Sequence, residues 1–332
     1  MILFRTPVNV PESKYKLDYE TPSLWIGSCF TENIGSRLSR MKFPVAINPF
    51  GIIYNPVSVK NSLAILLERR LFTEKDLFFS NGLWNSFFHH TEYSDPNLEN
   101  CLQNINKEIT HAHEFLKKSR FLFITFGTAR VYQLKTNGST VSNCHKLPHS
   151  NFNRKLLEVD EIVSLYIDLI DKLTKFNPGI KVVFTISPVR HWKDGAEGNQ
   201  VSKSSLVLVI YRLREMFGNV LYFPAYEIVM DELRDYRFYD RDMLHVNDQG
   251  VDYIWEKFMD AFISPAAFPV IKKIVSINQG IGHRPFKPDA KDYREFLSKL
   301  LDKISEVERV IGSADFSKER LYIEERIQDP DR

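Results

Sequence analysis

Two short stretches carry residue types that can perform nucleophilic catalysis. In "LWIGSCFTENIGSRL", Ser28 and Cys29 lie where an apolar segment meets a helical pattern, and "YDRDMLHVNDQG" contains Asp242 and His245 three residues apart. In a helical turn this spacing places both side chains on one side, so the carboxylate can accept a hydrogen bond from one ring nitrogen while the other acts as a base. A serine needs such a base because its free hydroxyl is a weak nucleophile. The two stretches therefore indicate a nucleophile paired with a carboxylate-supported imidazole.

The choice between the two adjacent nucleophiles favours Ser28. The pattern predicts a helix over 32–41 with Thr31 as its cap, which puts Ser28 near a helix N-terminus, where free N–H groups favour developing negative charge. A cysteine is intrinsically more nucleophilic. If the strand extends through Gly27, however, Cys29 points away from Ser28 and toward packing, in a small apolar role. The alternative for the whole junction is a tight Gly-Ser turn without catalytic meaning.

The elements that must position these residues alternate along the chain. Short runs rich in Ile, Val and Phe predict strands buried on both faces of a parallel sheet, at 23–27, 121–126, 180–186 and 220–223. Apolar residues spaced three and four apart predict helices between or after them, at 160–176, 201–217 and 250–262. This alternation is typical of an α/β sandwich.

Three polar motifs follow predicted strands directly. They are Gly27-Ser28-Cys29, Gly127-Thr128 and the stretch "SPVRH" at 187–191. In an open α/β sheet, ligands bind beyond the carboxyl ends of the strands. We therefore expect the three motifs to face the same edge.

Two regions break the alternation. Residues 70–95 are aromatic and turn-rich, which predicts a hairpin or lid inserted into a main domain that spans 1–285. After a Pro-containing break, 288–327 carries a long amphipathic stripe, so 286–332 is predicted to be a C-terminal helical extension packed on the main domain, with a loose tail.

The composition bounds the class of protein. The chain has 332 residues, 43% hydrophobic and 26% charged, which predicts an ordinary globular core. The formal net charge is +2 without a dense basic stripe, so nucleic-acid binding gains no support. No apolar run approaches the roughly 18 to 20 residues that span a membrane, and a signal-peptide pattern is lacking. The 3 cysteines are widely spaced, which argues against a disulfide framework and a zinc site, so we expect a cytoplasmic protein.

Several stretches together resemble the GSCFA family of the SGNH (GDSL-like) hydrolase superfamily. They span roughly residues 20 to 260 and read "GSCFTENIG", "NPFGIIYNP", "FITFGTARVY", "NCHKLP", "FTISPVRHWKDGAEGNQVSKSSL" and "FPAYEIVMDELRDYRFYDRDMLHVNDQGVDYIW". The resemblance implies a three-layer α/β/α sandwich with a flavodoxin-like parallel sheet. It also implies a serine hydrolase in which Ser28 is the nucleophile, His245 the base and Asp242 the orienting acid. Asp240 and Asp235 are alternative acids.

The resemblance further implies an oxyanion hole formed by the backbone N–H groups of Ser28 and Gly51. The superfamily usually has Gly-x-Asn-Asp in its third sequence block, whereas this chain has Gly127-Thr128-Ala129. The amide donor is therefore missing from its usual place, and Thr128 or Asn48 would have to substitute for it. Losing one such donor costs about a hundredfold or more in rate.

Other residues are candidates for substrate binding. Gly127, Arg190 and His191 follow strands, and Arg190 either binds a substrate anion or hydroxyl or pairs with an acid such as Asp194. His90 and Trp84 lie in an aromatic stretch that suits the face of a sugar.

These features predict an esterase that cleaves an acyl ester, O-acetyl among the possibilities, on a small molecule or glycan. No metal or organic cofactor is required. An acyltransferase with the same triad and a non-catalytic carbohydrate-binding or other ligand-binding protein are the alternatives, the second because the oxyanion set is incomplete.

Overall fold

The computed structural model of the protein describes residues 5–283 and 291–328. The strands are β1 (Ser23–Gly27), β2 (Val45–Ile47), β3 (Phe78–Ser80), β4 (Leu83–Asn85), β5 (Phe121–Phe126), β6 (Arg130–Leu134), β7 (Thr140–Val141), β8 (Phe152–Leu156), β9 (Lys181–Ile186) and β10 (Val220–Phe223). The helices are α1 (Cys29–Arg40), α2 (Pro56–Glu68), α3 (Leu98–Lys118), α4 (Val159–Phe176), α5 (Gly195–Met216), the short α6 (Ala225–Glu227), α7 (Asp248–Phe262), α8 (Phe268–Gly282), α9 (Lys291–Val310) and α10 (Ser317–Gln328).

The central sheet is parallel, with the spatial order β10-β9-β5-β1-β2. Gly27 at the end of β1 is level with Thr125 of β5, and Phe126 of β5 is level with Ile186 of β9. Numbered along the chain, this order is 2-1-3-4-5, the flavodoxin-like arrangement. The predicted α/β fold with a flavodoxin-like parallel sheet is confirmed, and the carboxyl ends of the five strands form one edge, here called the carboxyl edge.

Helices cover both faces of the sheet. On one face, Leu24, Ile26 and Phe184 are fully buried in a large apolar core that also contains the inward side chains of α2, α3, α4 and α5. On the other face, Trp25 stacks on Phe123 at 3.8 Å between ring centroids, and Phe258 of α7 packs against both. Alternate residues of β1 thus serve opposite layers, as expected for a strand buried on both faces.

Two small antiparallel sheets interrupt the α/β alternation. β3 and β4 form a hairpin within the aromatic stretch 70–95, and β6 pairs with β7 and β8 between β5 and α4. The hairpin is the element that turn signals in this stretch indicate. Its role as a lid stays a prediction.

Contacts divide the chain into two units. The first contains the N-terminal residues to Glu12, Pro22–Ser36 and Val45–Ala261, and the second contains Ser13–Thr21, Arg37–Pro44 and the chain from Phe262 onward. The second unit has an apolar core of its own, built mainly from α8, α9 and α10. The boundary predicted between 285 and 286 lies outside the described residues. Within 5–283 and 291–328, every helix falls short of the combined length and apolarity that crossing a membrane requires.

Helix α1 begins earlier than the sequence suggests. The helix was predicted to start at Glu32 with Thr31 as its cap, but it starts at Cys29. The hydroxyl of Thr31 is hydrogen-bonded to that of Thr125 at 2.7 Å, so it links the helix to β5 instead of capping it. Ser28 therefore immediately precedes the first helical residue.

Candidate active site

Gly27 and Ser28 form a tight junction between β1 and α1. Gly27 has a φ of 150°, and a Cβ atom at this position would overlap the backbone of Thr125 in the neighbouring strand. Only glycine fits such a position without strain. Ser28 is 5% exposed, and its Oγ accepts a hydrogen bond from the N–H of Phe30 at 3.3 Å. The junction places this hydroxyl at the carboxyl edge and at the N-terminus of α1, where the helix dipole favours negative charge.

Cys29 is partly buried and is the first residue of α1. Burial raises the pKa of its thiol, and the charge of Glu32 raises it further, whereas Lys203 opposes the shift. Since the thiolate is the reactive form of cysteine, the raised pKa makes Cys29 a poor nucleophile near neutral pH. This environment favours Ser28 as the reactive residue of the pair.

Asp242 and His245 are joined in a loop that precedes α7. The Asp242 carboxylate accepts from His245 Nδ1 at 2.5 Å, and its other oxygen accepts the backbone N–H groups of Leu244 and His245, both at 2.9 Å. These backbone and ring hydrogen bonds, those of His245 foremost, lower the pKa of Asp242 to about 2. Asp242 and His245 therefore form a carboxylate–imidazole pair, and Asp242 stays ionised at ordinary pH.

The backbone around this pair differs from the predicted helical turn. Asp242 initiates an Asx-type turn, in which a side-chain oxygen accepts N–H groups two and three residues ahead. Met243 takes a φ of 59°, and the N–H of Asp240 closes the loop on the carbonyl of His245 at 2.8 Å. Asp235, an alternative acid, is paired with Arg237 at 2.7 Å. The loop's own hydrogen bonds thus select Asp242 as the partner of His245.

Ser28 and His245 are not hydrogen-bonded to each other in the described part of the chain. Ser28 is buried beneath the carboxyl edge, while the His245 side chain is 51% exposed and lines a cavity of about 520 Å³. Tyr54 lines this cavity, and the N–H of the preceding residue, Ile53, donates to the carbonyl of Gly27 at 3.0 Å. The two groups face one edge of the sheet without being in contact.

Asn48 follows β2 and contacts the nucleophile junction. Its Oδ1 accepts the N–H of Gly27 at 2.9 Å, and its backbone takes a φ of 45°, which asparagine tolerates better than most residues. Its Nδ2 is buried and has no hydrogen-bond partner among the described residues. A buried donor left unpaired is costly, so this amide is suited to an acceptor that a ligand brings.

The other predicted oxyanion donors are engaged. The N–H of Gly51 donates to the carbonyl of Asn48 at 2.7 Å, which closes the turn of "NPFG". Thr128 Oγ1 is 2.9 Å from Ser202 Oγ and accepts the N–H of Arg130 at 3.1 Å. Both groups are thus hydrogen-bonded within the protein, whereas Asn48 Nδ2 has no partner among the described residues.

Three of the five predicted binding residues line the cavity and two do not. His90, Arg190 and His191 line it together with His245. Gly127 is next to the His191 ring: a Cβ atom added at Gly127 would lie 3.0 Å from His191 Nε2. Trp84 is not among the lining residues and packs against Phe79 and the apolar core.

Arg190 is not paired with Asp194. The buried carboxylate of Asp194 instead forms ion pairs with Arg154 and, at 3.4 Å, with Arg130. Arg190 Nε is buried and lacks a hydrogen-bond partner among the described residues. The alternative explanation of Arg190 as the partner of Asp194 is therefore wrong.

Lys203 is a functional candidate that the sequence does not reveal. It lies on α5, is 1% exposed, and donates to the carbonyls of Gly127 and Ser187 at 2.7 and 2.6 Å, where β5 and β9 end. Burial lowers its pKa to about 7. Burial of the His191 ring lowers its own pKa to about 4, and the charge of Lys203 adds to this shift. His191 is consequently neutral near pH 7.

Comparison with protein families decides the membership of the chain. The model of the GSCFA family matches residues 23–258, which contain every residue of the site described above, and the model described as "GSCFA domain protein, C-terminal domain" matches residues 274–329. The chain belongs to the GSCFA family. The two GSCFA matches leave residues 259–273 between them.

Two solved structures of esterases are distantly similar to this GSCFA protein. A carbohydrate esterase family 3 structure from Talaromyces cellulolyticus is 10% identical with a TM-score of 0.36, covering 76% of this chain and 99% of its own. An acetyl xylan esterase from the rumen bacterium Butyrivibrio proteoclasticus is 12% identical with a TM-score of 0.35, covering 76% of this chain and 64% of its own. No curated protein matches. The function of this protein is therefore inferred from the geometry of its own side chains.

Proposed function

We propose that this GSCFA protein is a serine esterase that cleaves an acyl ester carried on a glycan. The observation on which the proposal depends is the Asp242–His245 pair, joined at 2.5 Å, with the imidazole at the edge of a cavity on the carboxyl edge. An ionised carboxylate on Nδ1 fixes the ring tautomer so that Nε2 can take a proton. Ser28, at the N-terminus of α1, is the hydroxyl on this edge that needs such a base.

The proposed reaction has two halves. His245 removes the proton of Ser28 as Oγ attacks the ester carbonyl, and the resulting imidazolium is stabilised by Asp242 and protonates the leaving alcohol. Water then releases the acyl group by the same base catalysis. Ser28 Oγ must leave the N–H of Phe30 and come within hydrogen-bond reach of His245, a tightening that unliganded sites commonly require.

The tetrahedral intermediates need donors to their oxyanion. We assign these to the backbone N–H of Ser28 and to Asn48 Nδ2. Asn48 is supported by its contact with Gly27 and by its unpaired amide. Gly51 and Thr128 would serve only if their present hydrogen bonds were exchanged.

Aromatic rings in the cavity support a sugar-bearing substrate. Tyr54, Tyr132 and Trp192 line the cavity that contains His245. Aromatic faces supply apolar area while their polar tips remain available for hydroxyl groups. The cavity volume of about 520 Å³ is within the usual range for a small-ligand site.

Labelling with a fluorophosphonate tests the proposal. We expect a covalent adduct on Ser28, located by peptide mass spectrometry, and none in Ser28→Ala or in heat-unfolded protein. Release of acetate from O-acetylated oligosaccharides should disappear in the same variant. A folded wild-type protein that neither forms the adduct nor releases acetate would contradict an esterase. Acyl transfer to added sugar that outpaces the release of free acid would identify an acyltransferase.

A further inference from the structure

The cavity beside His245 has an unusual balance of charge. Its cationic lining residues are Arg130, Arg154, Arg190 and Lys193, and no Asp or Glu occurs among its lining residues. They come from separate elements: β6, β8 and the loop after β9. Because the chain as a whole carries a formal net charge of only +2, this concentration of positive charge is local to the cavity.

One carboxylate lies behind this surface and leaves most of the charge uncompensated. Asp194 is fully buried and pairs with Arg130 and Arg154, which fixes the two guanidinium groups in the wall. Arg154 also lies over the ring of Tyr132 at 5.5 Å. Glu92, which is 3.5 Å from His90 Nδ1, is not a lining residue. Arg190 and Lys193 thus have no carboxylate partner among the described residues.

Arg190 is the best placed of these cations for recognition of an anion. Its Nε is buried without a partner. Its side chain also borders a second cavity of about 540 Å³, whose lining includes Asp235 and Asp242 as well as Arg234. An anion is therefore favoured on the His245–Lys193 side of Arg190, where the described lining residues include cations and no carboxylate. Guanidinium groups bind carboxylates and sulfates through paired, charge-assisted hydrogen bonds.

We infer that the ester substrate is carried on an anionic glycan, whose sugar carboxylate or sulfate is bound by Arg190 and Lys193 while the sugar ring packs on the aromatic side chains of the cavity. This inference rests on the proposed function for the ester itself. The anionic group would hold the glycan with one ring next to His245. Neutral acyl sugars would lack this contact and bind more weakly.

Binding to a protein that cannot turn over tests the inference apart from catalysis. In the Ser28→Ala background, calorimetry should show that trigalacturonate binds at least about tenfold more tightly than neutral mannotriose, the worth of one charged hydrogen bond. A sulfated galactose disaccharide distinguishes sulfate from carboxylate as the preferred anion. Adding Arg190→Gln should weaken binding of the preferred anion about tenfold, and raising NaCl from 50 to 500 mM should reduce the preference.

Matched variants make the result decisive. Arg212→Gln changes an exposed arginine of α5 that pairs with Asp160, away from the cavity, and should leave binding unchanged. If Arg190→Gln does not fold, Lys193→Gln removes a cation from an exposed side chain instead. Equal affinity for trigalacturonate, the sulfated disaccharide and mannotriose overturns the inference, even if wild-type protein hydrolyses esters. Loss of labelling at Ser28 with the anion preference intact overturns the esterase and leaves the anionic ligand.

Discussion

Ser28 and His245 occupy very different environments. Ser28 is 5% exposed at a junction fixed by strand register and by a glycine that tolerates no side chain. His245 is half exposed on a loop that owes its shape to local hydrogen bonds around Asp242. Contacts in the core of the domain thus position the nucleophile, whereas hydrogen bonds within the short loop around Asp242 position the base. Substitutions at the buried side should affect folding as well as catalysis, and substitutions in the loop should affect catalysis alone.

The largest expected effect is that of Ser28→Ala. Removal of a nucleophile that acts with its base as a unit lowers kcat by about 10⁴-fold or more. Hydrolysis of 4-nitrophenyl acetate should fall by this amount. Cys29→Ala is the matched control, since the adjacent thiol has a raised pKa, and it should retain most of the activity. The reverse pattern would transfer the nucleophile to Cys29.

Asp242→Asn tests the exposed loop that carries His245. The amide keeps the size of the side chain but favours the wrong imidazole tautomer, so kcat should fall about 10³- to 10⁴-fold. Because the pKa of Asp242 is about 2, the carboxylate is ionised throughout pH 5 to 8, so its own protonation should add no pH dependence to the wild-type kcat in that range. Any stability that its low pKa provides is present above the ordinary value and is lost only as pH falls toward 2.

Asp235→Asn is the control for the position of the acid. Asp235 is paired with Arg237, and its substitution should change kcat less than twofold. Thermal unfolding should show Asp242→Asn within a few degrees of wild type, because the carboxylate is on an exposed loop. A strongly destabilised Asp242→Asn would show that the loop is structural and would remove the contrast with Ser28.

Asn48→Asp tests the proposed oxyanion donor beside the buried Ser28. Aspartate keeps the acceptor for the N–H of Gly27 and removes the Nδ2 donor, so kcat should fall about 10²- to 10³-fold, the cost of one oxyanion donor. Asn48→Gly keeps the left-handed backbone but removes both the Nδ2 donor and the acceptor for Gly27, so it should lose at least as much activity and also thermal stability. Equal kcat in wild type and Asn48→Asp would exclude Nδ2 as an oxyanion donor.

The sequence predicted the residues of the sheet core better than the residues of its edge. The strands over 23–27, 121–126 and 220–223 were predicted correctly because buried β-branched and aromatic runs have few alternatives. The start of α1 was predicted three residues late, since the hydroxyl of Thr31 resembles a cap until Thr125 of a distant strand is brought beside it. Strand β2, with three residues, is too short to give a pattern.

In the candidate site too, contacts between residues close in sequence were predictable, and contacts between residues far apart in sequence were not. Asp242 and His245 could be paired from sequence because they are three residues apart and one turn joins them. The hydrogen bonds of Gly51 and Thr128 to other protein groups could not be predicted, since they depend on turn geometry and on Ser202 of α5. Lys203 gave no signal, because a lysine among serines on an amphipathic helix ordinarily faces solvent.

Lys203 offers the smallest predicted effect and tests the buried side independently of catalysis. Its pKa of about 7 is far below the ordinary value of 10.5, so the unfolded chain binds more protons than the folded chain between these two values. This group therefore makes the folded state gain stability as pH rises from 7 toward 10.5, and adds a constant penalty below 7. From pH 7 to 9, the unfolding free energy of wild type should rise by roughly 2 kcal/mol relative to Lys203→Met. Lys172→Met, on an exposed face of α4, should show no such pH-dependent difference. A flat difference for Lys203→Met as well would mean that the ammonium keeps an ordinary pKa, and that its hydrogen bonds to the ends of β5 and β9 offset the cost of its burial.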